Sequence, residues 1–152
     1  MMPLMKRVLY ALPVLVGFAC GGGDGPLANT PEGAVLQLFD YINKGQWSRE
    51  WDALHPVHQK RVPKEHFIEC AERADVPDID GIDILEVYDE TIPLPGYTKE
   101  VDTTAVTVRL ELSSGLFSKE SEDTFHVVLV DGVWRWLMSD PNGYSGADCP
   151  SG

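Results

Sequence analysis

His55, His58 and His66 crowd one short stretch of this chain, and clustered imidazoles are common ligands of zinc. The spacing does not favour that chemistry. His55-Pro56-Val57-His58 is not the helical i, i+4 pair that aims two imidazoles at one ion, and no acid stands in register with it. Histidines satisfied at a surface or a helix end are the expectation. Asp78-Ile79-Asp80-Gly81 echoes a calcium loop, but that register puts Val76 at the first ligand position and Val87 at the last. Neither offers a side-chain oxygen, so a solvated acidic loop is expected there. No metal and no cofactor is implied.

The N-terminus carries chemistry of another kind. Lys6 and Arg7 precede the apolar run Val8–Phe18, and Ala19-Cys20 follows it, the basic, apolar and small-residue order of a secretory signal. The run is too short for a bilayer, which takes roughly 20 apolar residues, and Pro13 interrupts it. Ala19-Cys20 resembles the lipobox of bacterial lipoproteins, in which the cysteine after the cut is acylated and becomes the new N-terminus. Gly17 stands where that family usually has Leu, so ordinary signal-peptidase cleavage stays open. The resemblance implies a signal peptide over 1–19, lipidation at Cys20, and a Gly-rich tether over 20–29. It places the protein outside the cytoplasm, held to the cell envelope membrane by its lipid.

With Cys20 lipidated or removed, Cys70 and Cys149 remain as an even pair, and an oxidising compartment permits a disulfide between them. The alternative is two buried free thiols. The disulfide is preferred because Cys149 lies in a Gly/Pro/Ser-rich tail that could not bury it unaided. Such a bridge stabilises by about 4–5 kcal/mol at most in the chain-entropy description.

Charge narrows the partners. The 152-residue chain has net charge −12, and without the first nineteen residues it keeps ten basic against 24 acidic side chains, a net −14. That excess repels phosphate backbones and argues against nucleic acid.

Periodicity supplies the elements. Thr30-Pro31-Glu32 is a helix start, and Ala34, Val35, Leu38, Phe39 and Ile42 form one apolar stripe that ends at Lys44-Gly45. Trp47, Trp51 and Leu54 predict a second helix from about Ser48 to Leu54, stopped by Pro56. Pro63 opens a third through Arg73, with Phe67, Ile68 and Ala71 inward. Ile82–Thr91 reads as a strand closed by Pro93-Leu94-Pro95-Gly96. From Val101 to Ser139 three more strands are expected, with Asp131-Gly132 as a type I′ turn. That turn sets Leu129 opposite Trp134, Val127 opposite Trp136 and Phe125 opposite Met138, all on one face. The expected class is α+β, with three N-terminal helices packed on a curved antiparallel sheet over 30–139 and a tied tail over 140–152.

Pro31-Glu32-Gly33-Ala34-Val35, the run Trp47-(x)3-Trp51-(x)2-Leu54-His55-Pro56, and Asp131-Gly132-Val133-Trp134-Arg135-Trp136 resemble the nuclear-transport-factor-2-like superfamily. Its members include ketosteroid isomerases, SnoaL-type cyclases and many exported bacterial lipoproteins. The resemblance implies a cone between sheet and helices whose mouth often holds a ligand. The polar groups expected to line it are Tyr41, Asp52, His55 and Tyr88, with Trp51 and Trp136 beside them. No catalytic residue of the family transfers by motif. Leu116 and Phe117 at a hairpin tip, and Val128, Val130 and Leu137 on the outer sheet face, are the expected partner surface, with homodimerisation as one use of that face. The expected function is non-catalytic binding of a small ligand or an envelope protein. The rivals are an isomerase- or cyclase-like enzyme using an acid/base group in the cone, and a structural envelope module.

Overall fold

The computed structural model describes residues 29–150. The expected signal peptide, Cys20 and all but the last residue of the tether lie outside the described residues. Four helices precede a four-stranded antiparallel curved sheet of order β1-β2-β3-β4. The elements are α1 (Pro31–Asn43), α2 (Trp47–Asp52), α3 (Pro56–Gln59), α4 (Lys64–Arg73), β1 (Asp78–Pro93), β2 (Glu100–Ser114), β3 (Phe117–Val130) and β4 (Val133–Trp136). A 3-10 turn over Pro141–Tyr144 follows.

Helix α1 starts as its sequence dictates. Thr30 Oγ1 accepts from the Gly33 N–H at 3.0 Å and Pro31 occupies the first turn. Helix α2 stops two residues short of Leu54, because Ala53–His55 leave it to run beside β4. The His55 N–H donates to the Trp136 carbonyl at 2.9 Å, and the Trp136 N–H to the Ala53 carbonyl at 3.2 Å. Leu54 thereby pairs in parallel with Trp136 and covers the β4 edge. Helix α3 was not expected from the sequence. Pro56, expected only to stop a helix, begins one, with the His55 Nδ1 accepting from the Val57 N–H at 3.2 Å as its cap.

The closing hairpin has two of the three expected pairs, Val127 opposite Trp136 and Leu129 opposite Trp134; the third is absent because β4 ends at Trp136 and Met138 turns into the second cluster, away from Phe125. Asp131 and Gly132 have φ of 50° and 78°, both positive as a type I′ turn demands. Strand β1 is longer than expected at its start. Asp78 and Ile79 join the ladder opposite Ser113 and Leu112, and the Asn43 side chain bonds both backbone groups of Ile79, at 2.9 and 3.2 Å. Bulges between Ile79 and Gly81 and between Ile84 and Glu86 obscure its alternation in the sequence.

One sheet face packs on α1. Val35 and Phe39 meet Val106, Val108, Leu110 and Val127, with the Phe39 and Phe125 rings edge to face at 5.0 Å. A second cluster joins Leu54, Val62, Phe67 and Met138 between α3, α4 and the segment after β4. Trp136 packs against both clusters. Cys70 of α4 and Cys149 of the tail are bonded, S–S 2.14 Å.

The β1–β2 hairpin does not end free in solvent. Its tip reaches α3, where the Pro95 carbonyl meets His58 Nε2 at 3.0 Å and the Tyr97 hydroxyl donates to the Val57 carbonyl at 2.9 Å. Arg61 donates to the Gly96 carbonyl and lies over the Tyr97 ring at 4.6 Å. Leu94 is buried under this contact. Gly96 has φ +78°, and a Cβ there would sit 2.5 Å from Arg61 Nη1 and 2.8 Å from Pro141 Cγ. Gly115 has φ +60° with nothing within 4 Å. Gly96→Ala should therefore lower stability by about 1–3 kcal/mol, and by clearly more than Gly115→Ala, whose cost is backbone strain alone. Urea midpoints of the two variants measure the difference; equal losses would mean the tip contact contributes nothing.

Candidate functional site

The residues expected to line a cone divide between different environments. Trp51, Asp52, His55 and Trp136 fall around the junction of α2, α3 and β4, but their polar atoms are already engaged. Trp51 Nε1 donates to the Val62 carbonyl at 2.9 Å, and the Lys64 ammonium lies 5.2 Å from its ring centre. Asp52 is exposed and pairs with Lys64 at 2.6 Å. Trp136 Nε1 donates to the Glu50 carbonyl at 3.1 Å, and His55 caps α3. Tyr41 is half-buried on α1. Tyr88 is exposed opposite Ala105, on the sheet face turned away from α1, and does not join the others. The space between α1 and the sheet is packed with Phe125, Trp134 and Trp136.

The histidines do not converge either. His55 and His58 ring centres are 6.3 Å apart, while His66 lies beside Cys70 Sγ at 3.8 Å. Among the described residues no three His, Cys, Asp or Glu side chains gather around a common point fit for a metal ion.

His58 is wholly buried. Its Nδ1 accepts from the Met138 N–H at 3.1 Å, which fixes the proton on Nε2, and Nε2 donates to the Pro95 carbonyl. Burial lowers its pKa, against an opposing pull from the Pro95 carbonyl.

The enclosed space lies on the other side of the sheet. A cleft of about 410 Å³ opens between the curled β1–β2 hairpin and the strands β3 and β4. Ile92, Pro95, Phe125, Trp136 and Leu137 supply apolar wall, and Asp123, Thr124, His126 and Ser139 supply polar atoms. His126 Nε2 meets Glu90 Oε1 at 2.7 Å. The two side chains come from β3 and β1 and meet diagonally across β2, where His126 stands opposite Ala105 and Glu90 opposite Thr103. The carboxylate oxygen can only accept, so it takes the Nε2–H of His126 and fixes the orientation of the ring. His126 lies on the sheet face away from α1, opposite Ala105. The signal was an acid and an imidazole on one face, two strands apart. Reading it needed the β1 register that the bulges hide.

A shallower groove of about 440 Å³ lies at the far end of the hairpins, between Asp89, Asp102, Thr91 and Thr104 and the apolar Leu129 and Trp134. Each carboxylate already accepts from a threonine on the paired strand, Asp89 from Thr104 at 2.9 Å and Asp102 from Thr91 at 2.7 Å.

Of the expected partner surface, Leu116 is 100 % exposed and Phe117 82 %. Val128 and Val130 are half-buried, and Leu137 is buried. Among the described residues no helix is long and apolar enough to cross a membrane. No protein-family model matches the chain, and no curated protein matches it.

Glu50 was missed entirely. It sits on α2 in a stretch that reads as helix surface, yet it is 8 % exposed and its Oε2 has no partner. Burial pushes its carboxyl up to about 7. The native state thus holds a proton that the unfolded chain has released between about pH 4.5 and 7, so this contribution is present at low pH and lost as pH rises through that window. His58 has the opposite sense, since its lowered pKa contributes stability above 6.5 that erodes as pH falls. Relative to Glu50→Gln, the wild-type protein should lose about 3 kcal/mol between pH 4.5 and 7 and then run parallel to the variant. Urea unfolding across that range provides the comparison; parallel curves throughout would place an ordinary carboxyl at position 50.

Proposed function

We propose that this chain is an exported, envelope-tethered domain of the nuclear-transport-factor-2-like kind, anchored through a lipidated Cys20, that binds a small and largely apolar molecule without chemical turnover. The observation that carries the binding reading is the cleft beneath the β1–β2 hairpin. Its volume of about 410 Å³ falls in the range of small-molecule sites, and its walls combine Ile92, Pro95 and Leu137 with the polar side chains of Asp123, Thr124, His126 and Ser139. The Glu90–His126 pair fixes an imidazole at the cleft and presents its Nδ1 edge as one oriented polar group.

Export is supported by the basic and apolar N-terminal run ending in Ala19-Cys20, and by the Cys70–Cys149 bond, which suits an oxidising compartment. The helices-then-meander order supports the superfamily reading. Trp51 and Trp136 with engaged indoles, and a core packed with Trp134, turn the binding reading from the cone to the opposite face.

Two measurements test the two halves. Mass spectrometry of the mature protein should find Cys20 at the N-terminus carrying a lipid, and an unmodified Cys20 ends the anchor reading. For the cleft, the neutral fluorophore N-phenyl-1-naphthylamine should bind the purified domain saturably at one site. Ser139→Trp, a change at an exposed cleft residue, should weaken that binding about tenfold or more, which is roughly 1.4 kcal/mol. Unchanged affinity would put the probe elsewhere and remove the cleft from the argument.

A further inference from the structure

The sheet has two edges, and they are finished differently. Strand β1 carries two bulges, its start is tied to Asn43, and its far end reaches α3. Such irregularities blunt an edge against further pairing. Strand β3 is regular. It pairs with β2 from Phe117 to Val127 without a shift of register, while β4 covers only Val127–Val130. The Leu137 N–H donates to the His126 carbonyl at 2.9 Å, so the backbone groups of His126 face away from β2. Directions alternate along an antiparallel ladder, so the N–H and C=O groups of Thr124, Glu122, Glu120 and Ser118 face outward too. The Thr124 N–H is taken by Asp123 Oδ1 at 2.8 Å. Among the described residues no other segment pairs with the edge from Ser118 to Glu122. This stretch is separate from the cleft, whose wall begins at Asp123.

Side-chain charge makes this open edge selective. Arg109 of β2 pairs with Glu122 at 2.9 Å, but the next cross-strand pair on that face is Glu111 opposite Glu120. Like charges so placed are destabilising, and neither glutamate has an ion-pair partner among the described residues. Glu111 leans over Gly81, where a Cβ would meet its Oε2 at 2.9 Å, and Glu120 is left at the open edge. We propose that the β3 edge from Ser118 to Glu122 binds an extended basic peptide segment of a partner protein, added as a further strand antiparallel to β3 and in line with β4. Lysine or arginine opposite Glu120 and Glu122 relieves the acidic pair, and an apolar residue at the C-terminal end of the segment lies against the exposed Phe117. The net charge of −12 draws such a segment towards the chain. A second copy fits poorly. Any two-fold antiparallel pairing of most of this stretch sets Glu120 or Glu122 opposite one of the same two glutamates of the copy.

The probe is the peptide Thr-Arg-Lys-Val-Lys-Thr-Thr-Ile, with fluorescein at its N-terminus and an amide at its C-terminus. Anisotropy titration of the purified protein should find saturable binding at one site, and about tenfold weaker binding in Glu120→Lys. That variant should stay folded, because a lysine there meets Glu111. Charge alone could produce this loss, so N-methylated peptides test the backbone. Methyl groups on the two lysine nitrogens keep the charge and remove donors that face β3. Methyl groups on the valine and the threonine after the second lysine face solvent. The first peptide should bind about tenfold more weakly than the parent, and the second about as well as the parent. Hydrogen exchange should show the amides of Ser118, Glu120 and Glu122 slowed by the parent peptide, while those of Lys119, Ser121 and Asp123, which face β2, stay unchanged. Equal affinity of the two methylated peptides, or protection without that alternation, would mean a basic peptide held by surface charge and would overturn the strand site. A dimeric protein with those three amides already protected before peptide is added would give the edge to a second copy and overturn it as well.

Discussion

A single imidazole ties the separate parts of this molecule together. His58 is wholly buried and makes two hydrogen bonds to backbone, from the amide of Met138 and to the carbonyl of Pro95. Those groups belong to the segment after β4 and to the tip of the β1–β2 hairpin, and His58 itself belongs to α3. The three elements are far apart in sequence, and each bond satisfies a backbone group near the buried core. Both bonds need the neutral ring with its proton on Nε2. A charged ring would turn an acceptor towards a donor into two donors, so burial here serves the geometry by disfavouring the charge.

That tie explains why the two faces of the sheet differ. The face that packs on α1 is filled beside the helix by Phe39, Phe125 and Trp136, and beyond the helix it opens only into the shallow groove at Leu129 and Trp134. The other face is closed by a hairpin that has curled across to reach α3, and a curled ribbon leaves a gap where a packed helix does not. The cleft with His126 and Leu137 is that gap. The Glu90–His126 pair reaches diagonally over the buried Thr103 and Ala105 of β2 at this face.

Much of the scaffold was legible in the sequence, and the reason is local. The Thr30 cap, the α1 stripe, the Asp131-Gly132 turn and the hairpin register follow from contacts within a few residues, or from a period that a turn fixes. The candidate sites were less legible because they depend on pairings between distant segments. Asp52 and Glu50 lie two apart on one short helix, and nothing in their types says that the first meets Lys64 in solvent while the second is buried. Tyr88 faces away from α1 because the bulge between Ile84 and Glu86 shifts its strand, and a one-residue shift exchanges the faces. His126 was assigned to its correct face and its neighbour was not found, since Glu90 reaches it across an intervening strand.

The buried ionisable groups differ in how well they are paired. His58 has both nitrogens satisfied, and losing either bond would leave a buried polar group without a partner. Glu50 is the reverse, buried with one carboxyl oxygen that has no partner, and burial pushes its carboxyl up to about 7. A fold under selection for stability alone would lose little by replacing such an acid with a residue of similar volume. The imidazole stabilises by satisfying two distant backbone groups, whereas the acid is tolerated in its buried place only while it keeps its proton.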